Sequence, residues 1–348
     1  MSYFRKNVDA MSGYTPGEQP QATRIIKLNT NENPYPPSPK AVEALRSFDT
    51  DALRKYPEPF SRPVIDAAVE VFGIEPEQVL VGNGSDDILT ILIRSFAGEN
   101  DTIGWLHPSY SLYPVLAEIQ DANQRYVDLN EDFSLPENLA EKAEGCSLFF
   151  LTCPNAPTAN IFDKDKIRHF CRNFNGVVVI DEAYGDFAEE NCLEIFKEFD
   201  NVVITRSFSK SYSLAGIRVG MAIADKSLIS GMAKVKDSYN VNALSQTMAA
   251  AALLDQDYFR ETVSKIKATR ERISNELSNL GFEVLPSQTN FIFAVPPIAA
   301  IDFFEALKQR HIFIRYFKGE RTGKFVRLTV GTNEEMDEFI SVTKEILG

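Results

Sequence analysis

Apolar residues along this chain fall into two regimes. From about Gln78 to Ile223 the runs QVLV, SLFFLT, VVVID, NVVIT and RVGMAIA alternate with stretches such as DDILTILIRSFA and KDKIRHFCRNF, whose apolar positions recur at helical spacing. Runs that are apolar on both faces and separated by helices predict a mostly parallel mixed sheet sandwiched by helices, an α/β arrangement. Ligands of such sheets bind beyond the carboxyl ends of the strands, so the residue after each run is a candidate for chemistry.

Either side of this block the pattern changes. The first forty residues are rich in Pro, Asn and Gly, and NTNENPYPPSPK suits an arm or loop. Helical spacing then reads through AVEALRSF and PVIDAAVEVFG, and again as one long region from Asn240 to Leu280 that stops at Gly281. Beyond it FEVLPS, NFIFAV, HIFIRYF and KFVRLTVG predict strands, with helices at IDFFEALKQR and EEMDEFISVTKEIL. The expected division is a large domain over 36–250, with 1–35 and 251–348 forming an N-terminal arm and a smaller α+β domain.

A chain of 348 residues, 44% hydrophobic, can bury the cores of two such domains. The net charge of −13, with no block of Lys or Arg, argues against nucleic acid as a partner. The opening MSYFRKNVDAMSGYTPGEQP lacks a signal-like apolar run and no later stretch reads as a membrane span, so a cytoplasmic protein is expected. Cys146, Cys153, Cys171 and Cys192 form no CxxC pair, which argues for reduced, buried thiols and against zinc or a disulfide framework.

The strand ends carry the chemistry. VVVID stops at Asp181, with Tyr184 three residues on. A lone Asp there reads as a turn or helix cap. It equally suits a fixed anion facing a protonated heterocyclic nitrogen, the partner that pyridoxal 5′-phosphate (PLP) needs if its ring is to act as an electron sink. The next run leads into RSFSKSYSLAGIRVG, where Lys210 alone would be a solvated turn residue. Around it Ser207 and Ser209 supply phosphate donors, Gly216 permits close backbone approach, and Arg218 adds a positive charge eight residues further on.

VLVGNGSDDILTILI runs from a strand through glycines into a helix start, where backbone N–H groups favour a phosphate and Ser85 adds a hydroxyl. Ordinary capping by Ser85 or Asp86 is compatible with that. The third glycine of GxGxxG is missing and no Gly-Lys-Ser/Thr follows, which argues against a dinucleotide or Walker loop. Tyr110, in WLHPSY, offers a ring to stack on a flat cofactor. CPNAPT is a proline-constrained turn that either presents Asn155 as a donor to a phenolate oxygen or is simply a turn.

In this order SGYTPGEQP, LNTNENPYPPSP, RKYPEP, GNGSDD, PNAPT, VVIDEAYGDF, RSFSKSYSLAGIRVG, TNFIF, IRYF and VRLTVGT resemble the fold-type I PLP-dependent enzymes of the aspartate-aminotransferase superfamily. Within it the resemblance is closest to the histidinol-phosphate aminotransferase family, and it covers nearly the whole chain. It implies that Lys210 attaches PLP covalently, Asp181 meets the ring nitrogen, Tyr184 and Asn155 contact the ring hydroxyl, and Tyr110 stacks on the ring. Ser85, Ser207, Ser209 and Arg218 would hold the phosphate with backbone at Gly84 and Asp86. Tyr56 would reach the cofactor of a second subunit, which implies a homodimer with shared sites. The superfamily commonly has Asn immediately before Pro-Thr-Gly; here Ala156, Pro157, Thr158 and Ala159 follow Asn155, so that donor is displaced or lost.

The same resemblance implies transamination between histidinol phosphate and 2-oxoglutarate, giving imidazole acetol phosphate and glutamate in histidine biosynthesis. Arg327 and Arg315 would bind the substrate anion, with Tyr14 and Tyr35 closing over it. An aromatic amino-acid aminotransferase and a threonine-phosphate decarboxylase-like lyase are the alternative readings.

Overall fold

The computed structural model describes residues 2–20 and 25–348. Its first half runs α1 (Lys6–Ala10), β1 (Ile26–Lys27), α2 (Pro39–Arg46), α3 (Arg62–Phe72), β2 (Val79–Gly82), α4 (Ser85–Phe96), β3 (Thr102–His107), α5 (Leu112–Gln120), β4 (Asn123–Asp128), α6 (Leu139–Lys142) and β5 (Cys146–Thr152). Next come α7 (Lys164–Asn173), β6 (Val177–Asp181), β7 (Val202–Ser207), β8 (Gly220–Ala224), α8 (Lys226–Ala233), α9 (Ala243–Leu254) and α10 (Gln256–Asn279). The chain ends with β9 (Glu283–Val284), β10 (Phe291–Val295), α11 (Ala300–Gln309), β11 (Ile312–Phe313), β12 (Arg315–Tyr316), β13 (Val326–Thr329) and α12 (Asn333–Leu347).

Among the described residues, β2 to β8 form one seven-stranded sheet in the order β2-β8-β7-β6-β5-β3-β4. Only β8 opposes its neighbours; the other pairs are parallel. Strand residues alternate between two covered faces. Val178, Ile180, Val202 and Ile204 belong to one apolar cluster, and Phe150, Val179 and Val203 belong to another that includes Ile88 and Leu92 of α4 and Tyr113 of α5. Double coverage is why these runs read as continuously apolar.

A second sheet, β12-β13-β10-β9, is antiparallel, and the arm strand β1 pairs in parallel with β11. The local signals behave as their chemistry requires. Ser38 caps α2 through the Ala41 N–H, Asn242 caps α9, and Thr332 with Glu335 makes a reciprocal capping box at α12.

The expected single helix from Asn240 to Leu280 is two. Asp255 takes φ −91° and ψ 62°, which interrupts the helix, and it forms an ion pair with Lys40 at 3.1 Å. HIFIRYF is also divided, β11 pairing with the arm and β12 with β13. Among the described residues no helix is long and apolar enough to cross a membrane.

Candidate active site

The site forms where β5, β6 and β7 end. Thr152, Asp181 and Thr205 are register partners on these parallel strands, so their side chains share a face. Oδ1 of Asp181 accepts from Thr205 Oγ1 at 2.9 Å and the Ala183 N–H at 3.2 Å, while Oδ2 accepts from the Tyr113 hydroxyl at 2.8 Å. Tyr113 lies flat on Phe150, with ring centroids 4.5 Å apart. Burial raises the Asp181 carboxyl above the ordinary range despite these three donors. A carboxylate this enclosed suits a cationic partner, and the protonated ring nitrogen of PLP is such a group.

Lys210 follows β7 in a turn whose backbone is held from outside: Asn33 Nδ2 donates to the Lys210 carbonyl at 2.9 Å and to that of Ser211 at 3.2 Å. Its Nζ donates to the Thr30 carbonyl at 3.2 Å and lies 5.8 Å from the centre of the Tyr184 ring. Beneath the turn Arg206 is buried between Glu182, at 2.7 Å, and Asp186, at 2.5 Å; Asp186 also accepts from the Ser211 hydroxyl at 2.5 Å. Burial works against this guanidinium, but the two carboxylates outweigh it and hold it above its ordinary value. Removing one member would strand a buried charge, so the cluster fixes the turn that presents Lys210.

A second group of hydrogen-bond donors lies on the other side of β8. No side chain caps α4, so its first-turn N–H groups face the space before Ser85. Arg218, itself at φ +53°, donates to Ser209 Oγ at 3.2 Å and pairs with Asp86 at 3.3 Å. Ser207 Oγ accepts from the Ser209 N–H. Two glycines are required here by space: a Cβ on Gly220 would lie 2.5 Å from Ser85 N, and one on Gly84 would lie 2.7 Å from the Arg218 guanidinium. Tyr110 reaches Asp86 Oδ1 with its hydroxyl at 3.3 Å, and burial, helped by Asp86, raises its phenol well above the ordinary value. Gly84, Ser85, Asp86, Ser207, Ser209 and Arg218 thus converge from three segments on one anion cradle, with the Asp181 floor and Lys210 beside it. The donor set fits PLP.

The segment 29–33 links this region to the second sheet. Asn31 Nδ2 donates to the Tyr184 hydroxyl at 2.9 Å, and its backbone N–H donates to Thr329 Oγ1 at 3.0 Å. Arg327 donates to the Asn29 carbonyl at 3.0 Å, one residue from the carbonyl that receives Lys210. Its guanidinium lies between the rings of Phe291 and Phe317, 5.2 and 5.3 Å from their centres, and its Nε is enclosed with no partner. Burial pulls this arginine below its ordinary value, although part of the side chain stays open to solvent. Arg315 is its cross-strand partner. Among the described residues neither arginine forms an ion pair, so two cations stand together without a carboxylate.

Not every expected residue joins the set. Tyr14 does, its ring edge-on to Tyr110 at 6.3 Å. The Tyr35 ring does not: Lys265 Nζ lies 5.5 Å from its centre, and the link of Tyr35 to the site is through its backbone N–H, which donates to Asn33 Oδ1 at 3.0 Å. Tyr56 is 81% exposed and stacks on Tyr239 at 4.6 Å. The Asn155 amide is enclosed, and its two hydrogens go to the Pro108 carbonyl at 3.0 Å and Thr158 Oγ1 at 2.7 Å. Neither is left for a ring hydroxyl. Tyr113, Thr152, Thr205, Asn31 and Asn33 were not anticipated. Thr205 stands near the end of its apolar run as Asp181 does, but only the register of the two strands sets them side by side; the asparagines, in irregular chain, had no signal.

The model of the aminotransferase class I and II family matches residues 23–342. Histidinol-phosphate aminotransferases of Citrifermentans bemidjiense and Syntrophotalea carbinolica are each 46% identical over 348 residues, covering 99% of this chain and 99% and 100% of theirs. A crystal structure of histidinol-phosphate aminotransferase from Sinorhizobium meliloti in complex with pyridoxal 5′-phosphate superposes with a TM-score of 0.91, covering 100% of this chain and 98% of that one at 23% identity.

Proposed function

Because the chain belongs to the aminotransferase class I and II family and is thereby a PLP-dependent aminotransferase, we propose that it transfers the amino group of L-histidinol phosphate to 2-oxoglutarate, yielding imidazole acetol phosphate and glutamate in histidine biosynthesis. The observation that carries this reading is the uncompensated pair Arg327 and Arg315 next to Lys210. Histidinol phosphate has a phosphate and no carboxylate, whereas 2-oxoglutarate has two carboxylates, so one cationic site must accept either anion. A planar guanidinium binds both in the same bidentate manner.

PLP, when bound, supplies an electron sink for the charge that develops on the substrate's amine-bearing carbon. The side chains divide the remaining work. Asp181 would hold a positive ring nitrogen, and Arg218 with Ser85, Ser207 and Ser209 would hold the phosphate. Tyr184 and Tyr110 would wall the ring. Lys210 Nζ, released from the Thr30 carbonyl, takes and returns the proton of the substrate carbon. Tyr14 edges this space from the arm.

Glutamate formation from histidinol phosphate and 2-oxoglutarate tests the substrate assignment. Faster turnover with phenylalanine or tyrosine as donor would replace it with the aromatic reading, and carbon dioxide released from threonine phosphate would replace it with a lyase.

The exposed Tyr56, stacked on Tyr239, supports a homodimer in which Tyr56 completes the partner's phosphate site. Mixing inactive Lys210→Ala chains with Tyr56→Ala chains should then regenerate activity above that of either alone, since each hybrid holds one site free of both lesions. Additive activities would sink the shared site. Four free, buried cysteines suit the reducing cytoplasm where we place the enzyme.

A further inference from the structure

A chain of hydroxyls, buried at Tyr113 and Thr152 and half-buried at Ser109, leads away from Asp181, and its hydrogens can be counted. Asp181 Oδ2 meets Tyr113 Oη at 2.8 Å, Tyr113 meets Thr152 Oγ1 at 2.7 Å, Thr152 meets Ser109 Oγ at 3.0 Å, and Ser109 meets Asn155 Oδ1 at 3.1 Å. The amide orientation of Asn155 is fixed, because its Nδ2 donates to the Pro108 carbonyl and Thr158 Oγ1. Both ends of the chain are therefore acceptors when Asp181 is ionised. Four links then share three hydroxyl hydrogens, from Tyr113, Thr152 and Ser109.

One link must go without. With Tyr113 donating to the carboxylate and Thr152 to Tyr113, Ser109 serves either Thr152, leaving Asn155 Oδ1 without a donor, or Asn155, leaving the Thr152 and Ser109 oxygens 3.0 Å apart with no hydrogen between them. Asn155 is 0% exposed, so water cannot serve it. A proton on Asp181 Oδ2 resolves the shortage: Asp181 donates to Tyr113, Tyr113 to Thr152, Thr152 to Ser109 and Ser109 to Asn155. The donors to Oδ1, Thr205 and the Ala183 N–H, are the same in both arrangements.

We infer that Asp181 is a neutral acid in the chain without cofactor, and that Tyr113, Thr152 and Ser109 form a relay that reverses direction when Asp181 gives up this proton to a ring nitrogen placed against it. In that exchange the Oδ2–H bond breaks, an N–H bond forms, and each hydroxyl hydrogen turns to its other neighbour. Tyr113 and Thr152 are positioning residues, because they act on the cofactor only through Asp181. The groups facing Asp181 agree with a neutral acid. Asp86 from α4 is a like charge, Tyr113 from α5, Thr205 from β7 and Tyr110 are uncharged, and burial favours the protonated form, while the nearby cations Lys210 and Arg218 are engaged by the Thr30 carbonyl and by Asp86.

The second half of the inference rests on the proposed role of Asp181 toward PLP; the first half does not. Infrared difference spectra of the full chain freed of PLP, wild type against Asp181→Asn, should show a protonated-carboxyl carbonyl stretch at neutral pH that vanishes when PLP is added. Thr152→Val cuts the relay while keeping shape, leaving Tyr113 free to donate to the carboxylate and Ser109 free to donate to Asn155. The band should therefore titrate away at a pH lower by about one unit. Were Thr152 only a polar neighbour, its loss would raise that midpoint. Ser109→Ala cuts the relay at another point and should shift the midpoint the same way. Absence of the band at neutral pH, or a Thr152→Val midpoint unchanged or raised, overturns the relay and leaves the enzyme assignment untouched. A band that survives PLP binding overturns instead the pairing of Asp181 with the ring.

Discussion

Lys210→Ala should reduce transamination by about a thousand-fold or more, since one side chain supplies both the covalent attachment and the transferable proton. The structural cost should be small. Among the described residues the Nζ makes one hydrogen bond, to the Thr30 carbonyl at 3.2 Å in a partly buried place, so about 1 kcal/mol is at stake. The variant should keep the melting temperature of the parent to within a few degrees. PLP should still bind through Asp181, Arg218 and the α4 start, but without the absorbance of the lysine-bound form and without becoming fixed on borohydride reduction. PLP fixed to the variant chain by borohydride would show that another lysine carries it.

Arg327→Met separates a binding arginine from a structural one by the signs of two measurements. A buried arginine paired with a carboxylate is costly to remove, because an orphaned acid remains. Arg327 has no such partner among the described residues, its Nε is unsatisfied, and the flanking Phe291 and Phe317 rings can pack against a methionine. The lost hydrogen bond to Asn29 should be offset by relief of desolvation, leaving stability unchanged to about 1 kcal/mol. Meanwhile kcat/KM for the phosphorylated donor should fall about 10²- to 10³-fold, or ~3–4 kcal/mol, as expected for losing a charge-assisted bidentate contact. Arg327→Lys should recover little, because an ammonium lacks the planar fork. Chemical denaturation and steady-state kinetics decide the matter: a large loss of stability with a modest kinetic change would make Arg327 a structural residue.

The parts of the site that were legible in the sequence are those written as continuous strings. RSFSKSYSLAGIRVG holds Ser207, Ser209, Lys210 and Arg218 in fifteen consecutive residues, and Asp181 stands at the end of an unmistakable apolar run. The sheet was legible for the same reason, since doubly covered strands leave no ambiguity of face. What stayed hidden depends on geometry between distant segments. Tyr113 looks like a helix-start aromatic until its hydroxyl meets Thr152 of β5 and Asp181 of β6, and Thr152 and Thr205 gain meaning only from register with Asp181. Asn155 shows the converse. Its residue type suited a donor to the cofactor, yet its hydrogens are taken by its own turn. Helix periodicity likewise ran through Asp255 without registering the break there, because apolar spacing is not sensitive to one residue's dihedral angles.

The single reversed strand, β8, has a further effect. Parallel strands are joined by long crossovers, but β7 and β8 are antiparallel neighbours and form a hairpin-like unit with Ser207 opposite Gly220. The start of β8 therefore lies at the same edge of the sheet as the end of β7, which puts the amine of Lys210 and the guanidinium of Arg218 on one short connection. That connection acts as a ruler. Its length fixes the span between that amine and that guanidinium, the two groups we propose for the aldehyde end of PLP and for its phosphate.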